Sequence, residues 1–203
     1  MKNNINIIFF CSFLFLLECN KYSEKNILNL NNDIHNHNSN KDNSNEDNCN
    51  LIIDKQKFIS HQISVSGEVE NKLVLNVDEL RKWNQNKLNN VNIVCQTGAK
   101  ISENKSYKGV LLKEILEKAK IRQKNHKDRN FYIVARASDN YKATFSWAEI
   151  FNNQTGNAIY VLYEENNKPI SDVGEMILIS NSDIKTGPRH VNWLKSIEVF
   201  RVK

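Results

Sequence analysis

The chain is 203 residues long, carries a net charge of +5 at pH 7 and is 40% hydrophobic. That length supports one ordinary domain with segments to spare. The basic excess does not make a nucleic-acid surface, because the basic residues that bunch, Arg122, Lys124, Lys127 and Arg129, have no interleaved aromatics and read as a solvated loop.

The amino terminus sets the expected compartment. Ile5 to Leu17 is almost wholly apolar behind Lys2. The run is too short to span a hydrocarbon core of ~30 Å and has the length of a signal-peptide apolar region. Leu16-Leu17-Glu18-Cys19 resembles a bacterial lipoprotein cleavage box, with Glu18 where that box takes a small residue. Residues 1–18 are therefore expected to be a signal peptide, with Cys19 as the lipidated residue. The protein is expected to be exported to a bacterial cell envelope, periplasmic or surface-exposed, and held at the membrane by a lipid anchor.

Residues 19–60 read as a disordered polar tether. The tracts from Asn31 to Asn40 and from Asp42 to Asn48 are dominated by Asn, Asp and Ser. Such composition cannot bury enough apolar surface to offset the entropy of ordering. His35 and His37 have no third ligand at a plausible spacing, so they read as linker rather than metal site. A disulfide from Cys49 to Cys95 is chemically open in an oxidising compartment but would tie one end to the tether.

Residues 61–203 form the expected domain. His61 to Gly67 alternates and stops at glycine, as a strand does. Leu73 to Val77 reads as a second strand, and Asp78 as the cap of a short helix with Leu80 and Trp83 inward. Val91 to Cys95 reads as a buried strand. Leu111, Leu112, Ile115, Leu116 and Ala119 share one helical face after Gly109. Phe131 to Ala135 and Tyr141 to Phe145 pair across Ser138-Asp139-Asn140. Ala158 to Tyr163, Met176 to Ile179 and Ser196 to Val202 complete the strands. Strands outnumber helices in irregular order, which predicts an α+β domain with a mixed β-sheet or partial barrel and a few short helices. No dinucleotide fingerprint or phosphate-binding loop is present, and His190 with Asp139 lacks the serine in a sharp turn that a hydrolytic triad needs.

Cys95 is the only cysteine in the expected domain. At the end of a core strand it is either a small buried hydrophobe or a ligand at a site. The order of elements around it carries a resemblance. Val65-Ser66-Gly67-Glu68-Val69, Leu73-x-Leu75-x-Val77-Asp78-Glu79-Leu80, Val91-x-Ile93-Val94-Cys95 and Tyr107-Lys108-Gly109-Val110-Leu111-Leu112 stand in sequence. Asp139-Asn140-Tyr141, Asn167-Lys168-Pro169-Ile170 and Arg189-His190-Val191-Asn192-Trp193-Leu194 follow. Together they resemble the sulfite-oxidase-type molybdopterin-binding domain, over roughly residues 64–202.

That resemblance implies an oxidoreductase with a molybdenum-molybdopterin cofactor and Cys95 as the metal ligand. It further implies that Arg189 and His190 meet the pterin or its phosphate, that Lys100 and Lys185 add phosphate contacts, and that Tyr141 forms a pocket wall. The sequence departs from the catalytic pattern at Gln96-Thr97-Gly98-Ala99-Lys100, where a Gly-Asn-Arg-like stretch is usual. It departs again at Asn167 and Ser171, where His and Arg are usual, and its glycine-rich stretch is reduced to Gly187 beside Pro188. The alternative is therefore a non-catalytic binding module that keeps the fold without the metal. Either reading leaves a protein partner open.

Overall fold

The computed structural model describes residues 56–203. The export segment, Cys19, the His35 and His37 pair and Cys49 lie outside the described residues.

The first strand, β1 (Ile63–Gly67), buries Ile63 and Val65 and turns Ser64 outward. It pairs with β2 (Leu73–Leu75), which ends two residues earlier than the alternation suggested. The chain leaves the sheet at Asn76 because that residue, rather than Asp78, caps α1 (Val77–Arg81). Its side-chain oxygen accepts the Glu79 amide at 2.9 Å. Asp78 stands instead in the first turn, where a carboxylate favours the positive end of the helix.

The strand expected over residues 91–95 is the distal part of a longer one, β3 (Asn86–Val94), and Cys95 lies just beyond it. Its partner is β4 (Lys100–Leu111), twelve residues long and mostly polar in its first half. Pairing with β3 holds that polar stretch extended. Sequence periodicity alone is silent there, because register shifts break the alternation at Leu88, Val91 and Ile93. β4 runs directly into α2 (Leu112–Ala119), which buries the expected stripe of Leu112, Ile115, Leu116 and Ala119.

β5 (Phe131–Ala137) and β6 (Lys142–Ser146) form the expected hairpin, turned at Asn140 with φ 76°. Ser146 then opens α3 (Trp147–Phe151) through a reciprocal cap, with Glu149 bonding back to the Ser146 amide at 2.8 Å. After a 3₁₀ turn at Gln154–Ala158 come β7 (Ile159–Glu165), β8 (Lys168–Pro169) and β9 (Ile177–Ser180). A second 3₁₀ turn, Gly187–Arg189, precedes β10 (Leu194–Arg201).

The fold is mixed α+β, and its strands divide between two sheets. One has the order β2-β1-β10-β5-β6; the other runs β3-β4-β7-β8, with β9 on β7. β1 and β10 pair in parallel and every other pair is antiparallel. The main core lies between α2 and the inner faces of both sheets, around Ile63, Leu116, Ile133, Val161 and Ile197. A second cluster, including Leu88, Ile93, Leu162, Ile177 and Ile179, covers the other face of the second sheet. β9 is thus buried on both faces, which is why Ile177 to Ile179 reads as an unbroken apolar run.

The folded unit reaches upstream of residue 61. The Phe58 ring packs 5.9 Å from that of Trp193, and the Ser60 and Ser138 hydroxyls meet at 2.8 Å. Residues 56–60, expected in the tether, lie against the domain. The basic loop between α2 and β5 does turn Lys124 and Lys127 to solvent, while Arg122 is bonded inward to the Val69 carbonyl at 2.9 Å.

Candidate functional site

The tip of the β3–β4 hairpin is a tight turn. The Gly98 amide donates to the Cys95 carbonyl at 2.9 Å, and the Cys95 amide donates to the Ala99 carbonyl at 2.8 Å. Gly98 takes a φ of 91°, the left-handed conformation that glycine adopts without penalty. This turn halts the strand at Val94 and leaves Cys95 half-buried at its end.

Facing the hairpin tip is the 183–191 segment. Thr186, buried, fastens it to β3. Its hydroxyl donates to the Asn92 carbonyl and accepts the Val94 amide, both at 2.9 Å. Gly187 then passes so close that a Cβ would stand 2.8 Å from the Val94 carbonyl oxygen and 3.3 Å from the Cys95 Cα. Only glycine lets the two backbones meet in this way. Tyr141, at the β5–β6 turn, donates from its hydroxyl to the Pro188 carbonyl at 2.7 Å. Burial, and then the nearby Asp139 carboxylate, raise the Tyr141 pKa, so its phenol stays protonated.

These three pieces enclose a cleft of about 390 Å³ lined by Cys95, Gln96, Ile101, Tyr141, Gly187 and Pro188. Ile101 is 67% exposed and forms an apolar lip. Lys185 stands at the rim, its ammonium donating to the Gln96 carbonyl. Lys100, on the hairpin, is exposed and pairs with Glu103 at 2.8 Å. Ion pairs this exposed are weak and exchange readily with an incoming anion.

Arg189 and His190 are placed differently. The Arg189 guanidinium forks onto Asp183, at 2.7 and 2.6 Å, and reaches Glu149 at 2.8 Å. It also lies 4.6 Å above the Phe145 ring. The hydrogen bonds it donates to Asp183 raise its pKa, against the effect of burial. Burial works upward on the Asp183 and Glu149 carboxyls, but their hydrogen bonds, including those from Arg189, outweigh it and hold both below the usual range. His190 is packed inward, with Nε2 buried and without a protein partner. Burial, aided by Lys105 and opposed by Glu165, lowers its pKa to about 4, so it is neutral near pH 7.

Of the residues picked out in the sequence, the structure therefore gathers Cys95, Tyr141 and Lys185 at one cleft, with Lys100 on the adjoining strand. Arg189 and His190 sit behind the wall rather than on its face. Sequence reasoning missed Gln96, Ile101, Thr186 and Pro188 as parts of the cleft; Gln96 and Thr186 are placed by contacts across about 90 positions of chain and Pro188 by one across 47. It also missed Glu149 as a partner of Arg189, although the Ser146-x-x-Glu149 cap was legible. Among the described residues no group of three or more His, Cys, Asp and Glu converges to hold a metal ion alone.

Residues 50–203 match the family model described as "Oxidoreductase molybdopterin binding domain". Among solved structures, the sulfane dehydrogenase SoxCD from Paracoccus pantotrophus is similar with a TM-score of 0.55 at 14% identity. The match covers 69% of this chain and 38% of that one. At such identity the likeness is one of fold. No curated protein matches the chain.

Proposed function

Because the chain belongs to the oxidoreductase molybdopterin-binding domain family, we propose that its cleft binds a molybdenum-pterin cofactor with Cys95 as the protein ligand to the metal. The observation that carries this reading is the position of Cys95. It is half-buried, lines the cleft, and lies under a wall that Gly187 allows to close onto its backbone. The residues present fit the group. A soft thiolate suits molybdenum held by a dithiolene. The cleft walls are largely apolar, and the cations within reach of an anionic tail are Lys185 and Lys100 at the rim. Tyr141, anchored on Pro188, shapes the far side. Bound there, the group supplies oxygen-atom transfer, and the protein supplies orientation and positive charge.

One observation favours a second reading, a binding module without turnover. The strongest cation near the cleft, Arg189, is neutralised by Asp183 and Glu149, so an oxyanionic substrate meets only lysines. The two readings share the fold and differ in whether the molybdenum cofactor is held and in activity.

The test is metal analysis and pterin fluorescence on protein purified from its native compartment, wild type beside Cys95→Ser. The expected result is molybdenum and pterin in the wild type and neither in the variant, with melting temperature little changed. A chain that never carries pterin, with a Cys95 inert to alkylation until unfolding, overturns the reading. Export with lipid attachment at Cys19 belongs to the same proposal. It is supported by the apolar Ile5 to Leu17 run ahead of that cysteine, and Cys19→Ser should move the protein from the membrane to the soluble fraction.

A further inference from the structure

Arg189 lies one residue beyond the cleft wall, and its polar contacts are all to the protein's own acceptors. Nε and Nη2 hold the two Asp183 oxygens, Nη1 holds Glu149 Oε1, and Nη2 comes within 3.5 Å of Ser180 Oγ. Asp183 is in turn held by the Ser180 hydroxyl at 2.8 Å, and Glu149 by the Ser146 amide at 2.8 Å. The guanidinium thus joins the end of β9, the start of α3 and the 3₁₀ turn that carries Gly187 and Pro188. A planar fork engaged on two carboxylates is already neutralised, and drawing it away to meet an external anion would leave both carboxylates part-buried and unpaired.

We infer that Arg189 is a positioning residue, which locks the Gly187–Pro188 wall against Cys95 through Asp183 and Glu149 instead of contacting a bound anion. The inference rests on the cleft being the functional site, and deepens that reading by assigning the anion to the rim lysines. Loosening the clamp frees the turn that covers the Cys95 backbone, so the thiol becomes easier to reach in the folded protein. Lysine cannot replace the arginine, because a single ammonium cannot span Asp183 and Glu149 with the same fork.

Two isosteric or charge-preserving variants test this, read by alkylation of Cys95 and by binding of inorganic phosphate to cofactor-free protein. Asp183→Asn leaves Arg189 in place but breaks its strongest pairing. Arg189→Lys keeps the charge and removes the fork. The expected result is that both raise the alkylation rate several-fold, that neither tightens phosphate binding, and that lysine fails to restore the slow rate. Where cofactor is retained by the wild type, both should lower that retention by roughly 10–100-fold. Leu116→Ala, which empties the core at a distance, serves as the control for simple destabilisation. Alkylation that rises as much in Leu116→Ala as in Asp183→Asn overturns the positioning role. So does Asp183→Asn that binds phosphate more tightly at unchanged alkylation, since the freed guanidinium is then the anion contact. Neither readout needs the metal, so failure here is distinguishable from a chain that never carries molybdopterin.

Discussion

The two walls of the cleft are held by different means. The 183–191 wall is tied down by groups whose bonding capacity is already used: the Thr186 hydroxyl makes two backbone hydrogen bonds and Arg189 is matched by two carboxylates. The hairpin tip from Cys95 to Ile101 is held by its own turn and otherwise faces solvent, with Gln96, Lys100 and Ile101 exposed. Lys100 lies on the less constrained side, while Lys185 reaches across from the other wall to the Gln96 carbonyl. A residue type therefore says little about its role here. Arg189 is the stronger anion binder by chemistry, yet Lys185 and Lys100 are the cations in position.

The largest effect that sharpens the contrast is a loss of stability in acid from the wall. His190 has its folded pKa lowered to about 4 by burial, from an ordinary value of 6.5. A depressed value means that the unfolded chain takes up the proton first. The stability is therefore complete above pH ~6.5 and is lost as pH falls towards 4, by about 3 kcal/mol at most. Urea unfolding at pH 7 and pH 4 should show the loss, and His190→Gln should flatten it. Below that window Asp183 and Glu149, whose folded values are also depressed, extend the decline.

A single methyl group on the wall comes next. Gly187→Ala sets a Cβ 2.8 Å from a backbone oxygen that cannot swing away. It should cost about 1–3 kcal/mol and speed alkylation of Cys95 as the wall is pushed back. Thr186→Val strips both hydroxyl bonds from β3 while keeping the shape, for a loss of roughly 1–2 kcal/mol in thermal unfolding. The smallest effect on stability belongs to the tip. Lys100→Gln should shift it by less than about 0.5 kcal/mol, while weakening retention of an anionic cofactor. A Lys100 variant as destabilising as Thr186→Val would break the contrast between the two walls.

Much of the frame was legible in the sequence, and the errors have local causes. The β5–β6 hairpin and the α2 stripe followed from alternation and helical spacing, since each has one buried face. β4 did not, because Lys100 to Ser106 is polar and becomes extended through its neighbours rather than its own pattern. The α1 cap fell on Asn76 because its side-chain oxygen reaches the free amide of Glu79, three residues on. Cys95 and Tyr141 were picked out through their place in a recurring order of motifs and Lys185 through what the resemblance implies, and the structure brings them to one cleft. Arg189 was read by that same order as facing the cofactor; Asp183 is six residues away and Glu149 forty, and no periodic pattern in the sequence links either to it.

The sequence by itself determined which segments bury apolar faces, the α+β class and the single thiol of the domain. Those properties reside in short windows, where side-chain periodicity meets backbone geometry. Only the tertiary structure decided that the strands split into two sheets, that Gly187 closes upon Cys95, and that Arg189 is matched by two carboxylates while Lys185 meets a backbone carbonyl at the rim. Each of these depends on contacts between residues far apart in the chain, where the loss of water and the arrival of a partner change what a side chain can do. A guanidinium reads the same in any sequence, and its carboxylate neighbours decide whether it can still bind anything else.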